Sequence, residues 1–378
     1  MNHSKSLYIH IPFCLSVCDY CDFVKVPYHQ ALSDQVLERI IEDLSDHQRP
    51  FKTIYVGGGT PSALSEAQLE RFLSALKPML TTQQEFTIEI NPETVSYNKL
   101  ALMKSHGVNR LSIGVQAVQD HLLKRLTRQH SWQDAQHAID MMRKLGFDNI
   151  SVDAMYGIPG QTLDDFKETL LAFIQLNVEH ISLYALTIEP NTPFYRQQVK
   201  PVDNELEGQF FDLAHELLTH ANYDHYEVSS FSKATKKSQH NLAYWYYDDF
   251  IGIGPGAASK SNNIRQTNTS NLHHYLKKEN LIKEVVELSK NESMFEKIMM
   301  GLRLSKGIDI VSFNIFYDVD FYERYYDAIK QAKRNGWVET SEKRIKTTYT
   351  GRLFLHDVLL LFMDDKYNHD KLQPLTQT

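Results

Sequence analysis

The stretch Tyr8-Ile9-His10-Ile11-Pro12-Phe13-Cys14-Leu15-Ser16-Val17-Cys18-Asp19-Tyr20-Cys21 holds all 3 cysteines of the 378-residue chain. An apolar, β-branched run leads straight into thiols spaced Cys-x3-Cys-x2-Cys. The number is odd and the intervals are too short for comfortable bridging within one loop, so the layout is that of a metal site and not of a disulfide. Structural zinc wants a fourth protein ligand and usually a second Cys pair, which this chain lacks. A four-iron, four-sulfur cluster on three thiolates leaves one iron open to a small molecule. The cluster is the favoured reading, with zinc or a redox thiol site as the alternatives.

Composition sets outer bounds. With 42% hydrophobic residues the chain can build one large domain, or a large and a small one, around an ample core. A net charge of -7 and a pI near 6.2 supply no general attraction to nucleic acid. No apolar run approaches a transmembrane span, and no charged-then-apolar leader precedes the cysteine loop. The expected location is the cytoplasm, where thiols stay reduced and serve as ligands.

Outward from the loop, short β-branched runs at 7–11, 53–56, 86–90, 110–113, 150–155 and 180–186 read as strands. Between them, 32–44, 66–80, 132–145 and 163–176 carry apolar residues at helical spacing. Such a succession of βα units predicts a parallel sheet, flat and doubly wound or curled into a barrel. After 191–193 the repeat weakens. A helix is predicted over 204–220, a strand over 226–228 and a polar loop over 232–239, ahead of His240-Asn241-Leu242-Ala243-Tyr244-Trp245 and Gly252-Ile253-Gly254-Pro255-Gly256-Ala257-Ala258-Ser259. From about residue 284, short amphipathic helices, a hairpin at 336–339 and 344–346 and a final helix resemble a winged-helix module. Its Lys343, Arg344 and Lys346 read as a solvated face and not a DNA patch, and fold alone is a poor guide to function. The expected organisation is a barrel over 1–235, a barrel-closing and linking segment over 236–283, and a winged-helix-like domain over 284–378.

A glycine run, Gly57-Gly58-Gly59-Thr60-Pro61-Ser62, follows the second strand. Alone it would be a tight strand-to-helix turn; after such a cysteine loop it reads as backbone laid open to a ligand. Glu89 near the end of the third strand, Gln116 just past the fourth and Asp153 within the fifth would each be bland by itself, as a helix cap or solvated loop residue. Together they set ligand-type residues at the C-terminal ends of successive strands, where barrel enzymes hold their sites, and this favours a curled, incomplete barrel. Glu89, Gln116 and Asp153 offer acceptors for ribose hydroxyls and partners for a zwitterion, while Arg128 suits a carboxylate.

The cysteine loop and glycine run resemble the radical S-adenosylmethionine (SAM) superfamily. Joined to Arg110-Leu111-Ser112-Ile113-Gly114-Val115-Gln116 and Asp153-Ala154-Met155-Tyr156-Gly157-Ile158-Pro159-Gly160-Gln161-Thr162, they resemble the oxygen-independent coproporphyrinogen III oxidase family over residues 8–260. The resemblance implies an α/β fold, a partial TIM-type barrel of six βα units, with a 4Fe-4S cluster on Cys14, Cys18 and Cys21. It also implies SAM contacts from Tyr8, Gly58, Gly59, Thr60, Glu89, Gln116, Arg128 and Asp153, with weaker matches at Tyr20, Thr187 and Ala258.

Two departures from the oxidase pattern matter. Phe23 stands where the oxidase has a further cysteine, and only seven residues precede Tyr8 where the oxidase has a substantial extension. Both point to the heme chaperone branch, whose HNxxYW pattern is matched by residues 240–245. That branch implies heme as cargo and recipient hemoproteins, respiratory membrane enzymes among them, with no nucleic acid; dimerisation stays open. His240 is the expected axial ligand, because a neutral imidazole suits heme iron and Tyr244 and Trp245 are at hand to pack on a porphyrin. The plain alternative is a hydrogen-bonded histidine beside an aromatic core, in a chain with 17 histidines that include His273 and His274. Three functional readings follow: a heme-transfer protein with a cluster and SAM site; a coproporphyrinogen III oxidase whose reduced cluster cleaves SAM so that the resulting radical takes hydrogen from a propionate; and a radical enzyme of unrelated substrate.

Overall fold

The computed structural model describes residues 5–47 and 50–363. Six parallel strands follow one another in space as in sequence: β1 (Ser6–Ile11), β2 (Thr53–Gly58), β3 (Glu85–Ile90), β4 (Arg110–Gln116), β5 (Ile150–Tyr156) and β6 (His180–Ala185). Beyond β6 the antiparallel pair β7 (Asp224–Glu227) and β8 (Ser230–Ser232) extends the sheet, with β8 against β6. On the other side β9 (Phe250–Ile253) lies parallel to β1, followed by the antiparallel β10 (Ala258–Ser261), β11 (Ile264–Asn268) and β12 (Ile282–Glu287). Among the described residues the two ends, β12 and β7, do not pair, so the barrel stays open.

Strand periodicity explains both faces of this sheet. One set of alternate residues, including Ile54, Val56, Phe86, Ile88, Leu111, Ile113, Ile150, Val152 and Ile181, is fully buried against the crossover helices. Those are α1 (Gln30–Ser45), α2 (Glu66–Leu76), α3 (Tyr97–Ser105), α4 (Asp120–Arg125), α5 (Trp132–Lys144) and α6 (Leu163–Gln175), with α7 (Asn204–His220) after β6. Reciprocal capping boxes start α2 at Ser65, α5 at Ser131 and α6 at Thr162. The opposite set is polar: Thr53, Glu85, Thr87, Glu89, Arg110, Ser112, Ser151, Asp153, His180 and Ser182. A closed barrel of this type is filled by branched apolar side chains, whereas this one turns a titratable surface inward.

The six expected strands and four expected helices all form, with ends displaced by a few residues. Helix α3 gave no signal because only Leu100 and Met103 on it are buried, too few to make an apolar stripe. Strands β10 to β12 leave no alternation in the sequence because β10 and β11 are mostly half-buried and β12 is largely exposed. The stretch expected to link the domains thus carries strands of the main sheet.

After α8 (Gln239–Trp245), α9 (Leu272–Lys277) and α10 (Lys290–Gly301), the C-terminal part closes on its own core. Met294, Phe295, Ile298, Phe313, Phe321, Ile345, Val358 and Phe362 pack together there. Its hairpin of β14 (Val338–Thr340) and β15 (Arg344–Thr347) gains a third strand, β13 (Ile308–Asp309), beside β15. Arg344 pairs with Asp309 and Lys346 with Glu339, so the basic hairpin is charge-balanced locally. Residues 364–378 of the expected C-terminal domain lie outside the described residues. Helix α8 joins the two parts, since Tyr244 and Trp245 pack with Tyr226 and Phe250 on one side and Met300 and Leu304 on the other.

Phe86 sits at 0% exposure between β3 and the helices. Phe86→Ala should lower the unfolding free energy of the barrel by about 3–5 kcal/mol, read from urea denaturation. A loss below about 1 kcal/mol would mean that the sheet–helix layer is not packed as described.

Candidate functional site: a thiol-lined cleft at the barrel mouth

The cysteine loop leaves β1 and is shut at its base. Phe13–Cys14 pairs with Val26–Pro27, through Val26 N–H to Pro12 O and Tyr28 N–H to Cys14 O, both 2.8 Å. The glycine run then stitches itself onto the loop: Gly59 N–H donates to Ile11 O at 2.8 Å and Thr60 N–H to Phe13 O at 2.7 Å. A Cβ on Gly59 would stand 2.8 Å from Ile11 O, Phe13 N and Pro12 C, and Gly58 takes φ +106° against the His10 ring. The glycines are therefore required first by the chain's approach to itself.

These elements wall a cleft of about 420 Å³ in which Cys14, Cys18 and Cys21 face Gly58, Gly59, Thr60, Glu89, Gln116, Arg128 and Asp153. Tyr20 and Thr187 also line it. The Thr60 hydroxyl donates to Cys14 Sγ at 3.5 Å and Arg128 Nη1 to Cys18 Sγ at 3.7 Å. Arg128 Nη2 is held by Asn91 Oδ1 at 2.8 Å and Gly114 O at 2.7 Å, and Asn91 Nδ2 reaches back to Thr60 at 3.1 Å. Asn91 is thus the hinge between the arginine and the glycine run. Nothing but its place just past a strand end hinted at that in the sequence.

The acids differ in their partners. Glu89 accepts from the Tyr55 hydroxyl at 2.6 Å and from Gly58 N–H at 3.1 Å, yet burial pushes its pKa up to about 7. Asp153 accepts from the Ser112 hydroxyl at 3.1 Å, and burial raises it to about 6, against the pull of Arg110. Gln116 takes φ +70° at a bulge in β4, and its buried Oε1 has no hydrogen-bond partner. An orphaned acceptor, two carboxyls with raised pKa and an arginine make a cradle fitted to a zwitterion with hydroxyls.

Burial pushes the Cys14 thiol up and the Cys21 thiol to about 12, so loading a metal centre must expel protons. Among the described residues no three Cys, His, Asp or Glu converge closely enough for a single metal ion. Three thiols lining one cleft are a donor set that fits a polynuclear cluster with one iron left open.

Three expected residues fall elsewhere. Tyr8 is buried with its hydroxyl on His10 Nδ1 at 3.0 Å, beside Tyr55 and Ala257, and supports the cleft from behind. Ala258 begins β10 and packs on the aromatic cluster of α8. His240, expected as an iron ligand, is at 0% exposure with both ring nitrogens engaged: Nδ1 with Thr53 Oγ1 at 2.7 Å and Nε2 with the Tyr244 hydroxyl at 2.9 Å. Its ring stacks on Tyr55 at 5.0 Å, and burial drops its pKa to about 3. This geometry runs against His240 as a ligand and matches the plain alternative. Trp245 of the same motif does line the cleft, together with Asn241, Tyr184 and Arg303.

Residues 8–173 match the radical SAM superfamily model, and residues 288–354 match the HemN C-terminal domain. The chain is 34% identical over 373 residues to the heme chaperone HemW of Lactococcus lactis, covering 96% of this chain and 98% of that one. It is 35% identical to the heme chaperone HemW of Escherichia coli, covering 95% and 98%. The chain belongs to the HemW family. Among solved structures, the coproporphyrinogen III oxidase HemN of Escherichia coli, a radical SAM enzyme, superposes with a TM-score of 0.83 over 95% of this chain and 90% of that one, at 21% identity. That likeness shows a shared fold: a radical SAM partial barrel carrying a HemN-type C-terminal domain. No described helix of this HemW-family chain is long and apolar enough to cross a membrane.

Gly59→Ala should leave the barrel folded while cutting the iron and sulfide retained after anaerobic reconstitution well below wild type. Full loading of that variant would show that the loop tolerates the crowding and that its close approach is dispensable.

Proposed function

We propose that this chain binds heme and passes it to recipient hemoproteins in the cytoplasm or at the inner face of a respiratory membrane, with a 4Fe-4S cluster and SAM as resident groups. The observation that carries the reading is end-to-end similarity to two heme chaperones in a chain with Phe23 beyond its third cysteine. Cys14, Cys18 and Cys21 would hold the cluster, which would leave one iron without a protein ligand. Such a centre supplies reductive cleavage of SAM when bound and reduced. The protein's own share is positioning. Arg128 answers the carboxylate, Gly58, Gly59 and Thr60 bring backbone close, and Glu89, Gln116 and Asp153 face the remaining polar groups, with Tyr20 and Thr187 at the margin.

The test is heme titration of the reconstituted protein, with and without SAM, followed by incubation with an apo-hemoprotein. The expected outcome is a stoichiometric heme band that moves to the acceptor. Vinyl formation from coproporphyrinogen III under reducing, anaerobic conditions would instead establish the oxidase reading. His240→Ala should leave the position of the heme band unchanged, since His240 is not the iron ligand, and should lower thermal stability, since it strips Thr53 and Tyr244 of a buried partner.

Glu89 gives a second expectation. Its folded pKa of about 7 in the ligand-free cleft means that SAM, which favours the carboxylate, must displace a proton below neutrality. SAM affinity should be flat above about pH 7 and fall by up to about tenfold per unit between about pH 7 and about pH 6, where Asp153 begins to add its own proton. Calorimetry across that range checks the slope, and Glu89→Gln should flatten it; an unchanged slope in the variant would assign the proton to another group.

A further inference from the structure

The SAM-type residues account for only one part of the cleft. The rest is walled by Tyr184, Glu227, Asn241, Trp245 and, from the C-terminal part, Arg303. Arg303 follows α10 at the junction, where Leu304 bridges to Glu227 and Ser305 N–H donates to Tyr226 O at 3.0 Å. Its guanidinium lies over the Trp245 indole, 4.5 Å from the ring centroid. Among the described residues it makes no side-chain hydrogen bond or ion pair, and its Nε is buried without a partner. Trp245 is 7% exposed, and its Nε1 is likewise buried and unpartnered. Glu227, which also lines the cleft, accepts from Ser229 N–H at 3.0 Å and is not ion-paired with Arg303.

Two neighbouring residues of the cleft lining, one of them a permanent cation, carry N–H donors that no described protein group uses. A half-buried guanidinium with no acid paired to it among the described residues, and an indole beside it, offer only N–H, so the partner they fit is an acceptor with negative charge. The SAM carboxylate has Arg128 on the opposite set of elements. We infer that Arg303, braced by Trp245, is a second anion site of the cleft that receives a propionate carboxylate of the heme cargo. The inference rests on the heme reading and adds to it the part of the cargo that is recognised and the domain that recognises it. A carboxylate received there would make a charge-assisted contact with a guanidinium whose orientation the indole has fixed beforehand. The C-terminal part thereby becomes part of the binding site and not only a cover.

The experiment compares heme with its propionate dimethyl ester on wild type, Arg303→Met and Arg303→Lys, all as full-length reconstituted protein, with SAM affinity measured on each. Wild type should prefer heme over the ester by roughly 10- to 100-fold. Arg303→Met should bind both at the level of the ester, Arg303→Lys should recover part of the preference, and SAM affinity should be the same in all three. Equal binding of heme and ester by wild type, or full heme preference in Arg303→Met, would overturn the assignment. A parallel loss of SAM affinity in Arg303→Met would also count against it, as a general disturbance of the cleft. Failure of wild type to bind either porphyrin would overturn the heme reading itself.

Discussion

The structure depends on two backbone hydrogen bonds, Gly59 N–H to Ile11 O and Thr60 N–H to Phe13 O. They tie the turn after β2 to the departure of the cysteine loop from β1, and no side chain fits between the two segments. Because β1 and β2 are neighbours in perfect parallel register from Ser6↔Thr53 to Ile11↔Gly58, the barrel itself fixes how close the loops come. Sheet register thus sets the geometry of the cleft. The same closeness lets the Thr60 hydroxyl reach the first thiol and lets Asn91 relay the position of Arg128 to the glycine run.

The second constraint is electrostatic. An inward face bearing Glu85, Glu89, Arg110, Asp153 and His180 is unstable unless its charges are paired or suppressed. The chain does both. Glu85 spends its carboxylate on the N-terminal N–H groups of Gln239 and His240, 3.0 Å each, where a helix start favours negative charge. His180 is kept neutral by burial, between Ser151 Oγ at 2.8 Å and the Tyr226 hydroxyl at 2.9 Å. The acids nearest the mouth, Glu89 and Asp153, are hydrogen-bonded yet have their pKa raised by burial, and so remain responsive to what enters.

Much of this was legible in the sequence, for identifiable reasons. β-branched runs spaced by amphipathic stretches can only alternate as βα units, and residues at strand ends such as Glu89 and Gln116 converge by topology alone. What stayed hidden were partners remote in sequence. Ser112 supports Asp153 across two strands, and Arg303 arrives at the cleft from a different domain. Helix α3 and strands β10 to β12 stayed hidden for the opposite reason, because too little of each is buried to leave a period.

His240 shows where residue type misleads. An imidazole near aromatic rings suggests a ligand, but sequence does not say which way it points. Here the motif turns inward at its histidine and outward at its tryptophan, as expected for positions five apart on the short helix α8. His240 locks α8 onto β2 through Thr53 and onto Tyr244, while Tyr244 packs at 4.7 Å against Phe250 of β9. That lock holds Trp245 at the cleft edge, under Arg303 from the neighbouring domain. A motif shared by a heme-handling family need not touch heme through its histidine: here the histidine sets the helix, the helix sets the indole, and the indole sets the only cation that the second domain lends to the described cleft lining.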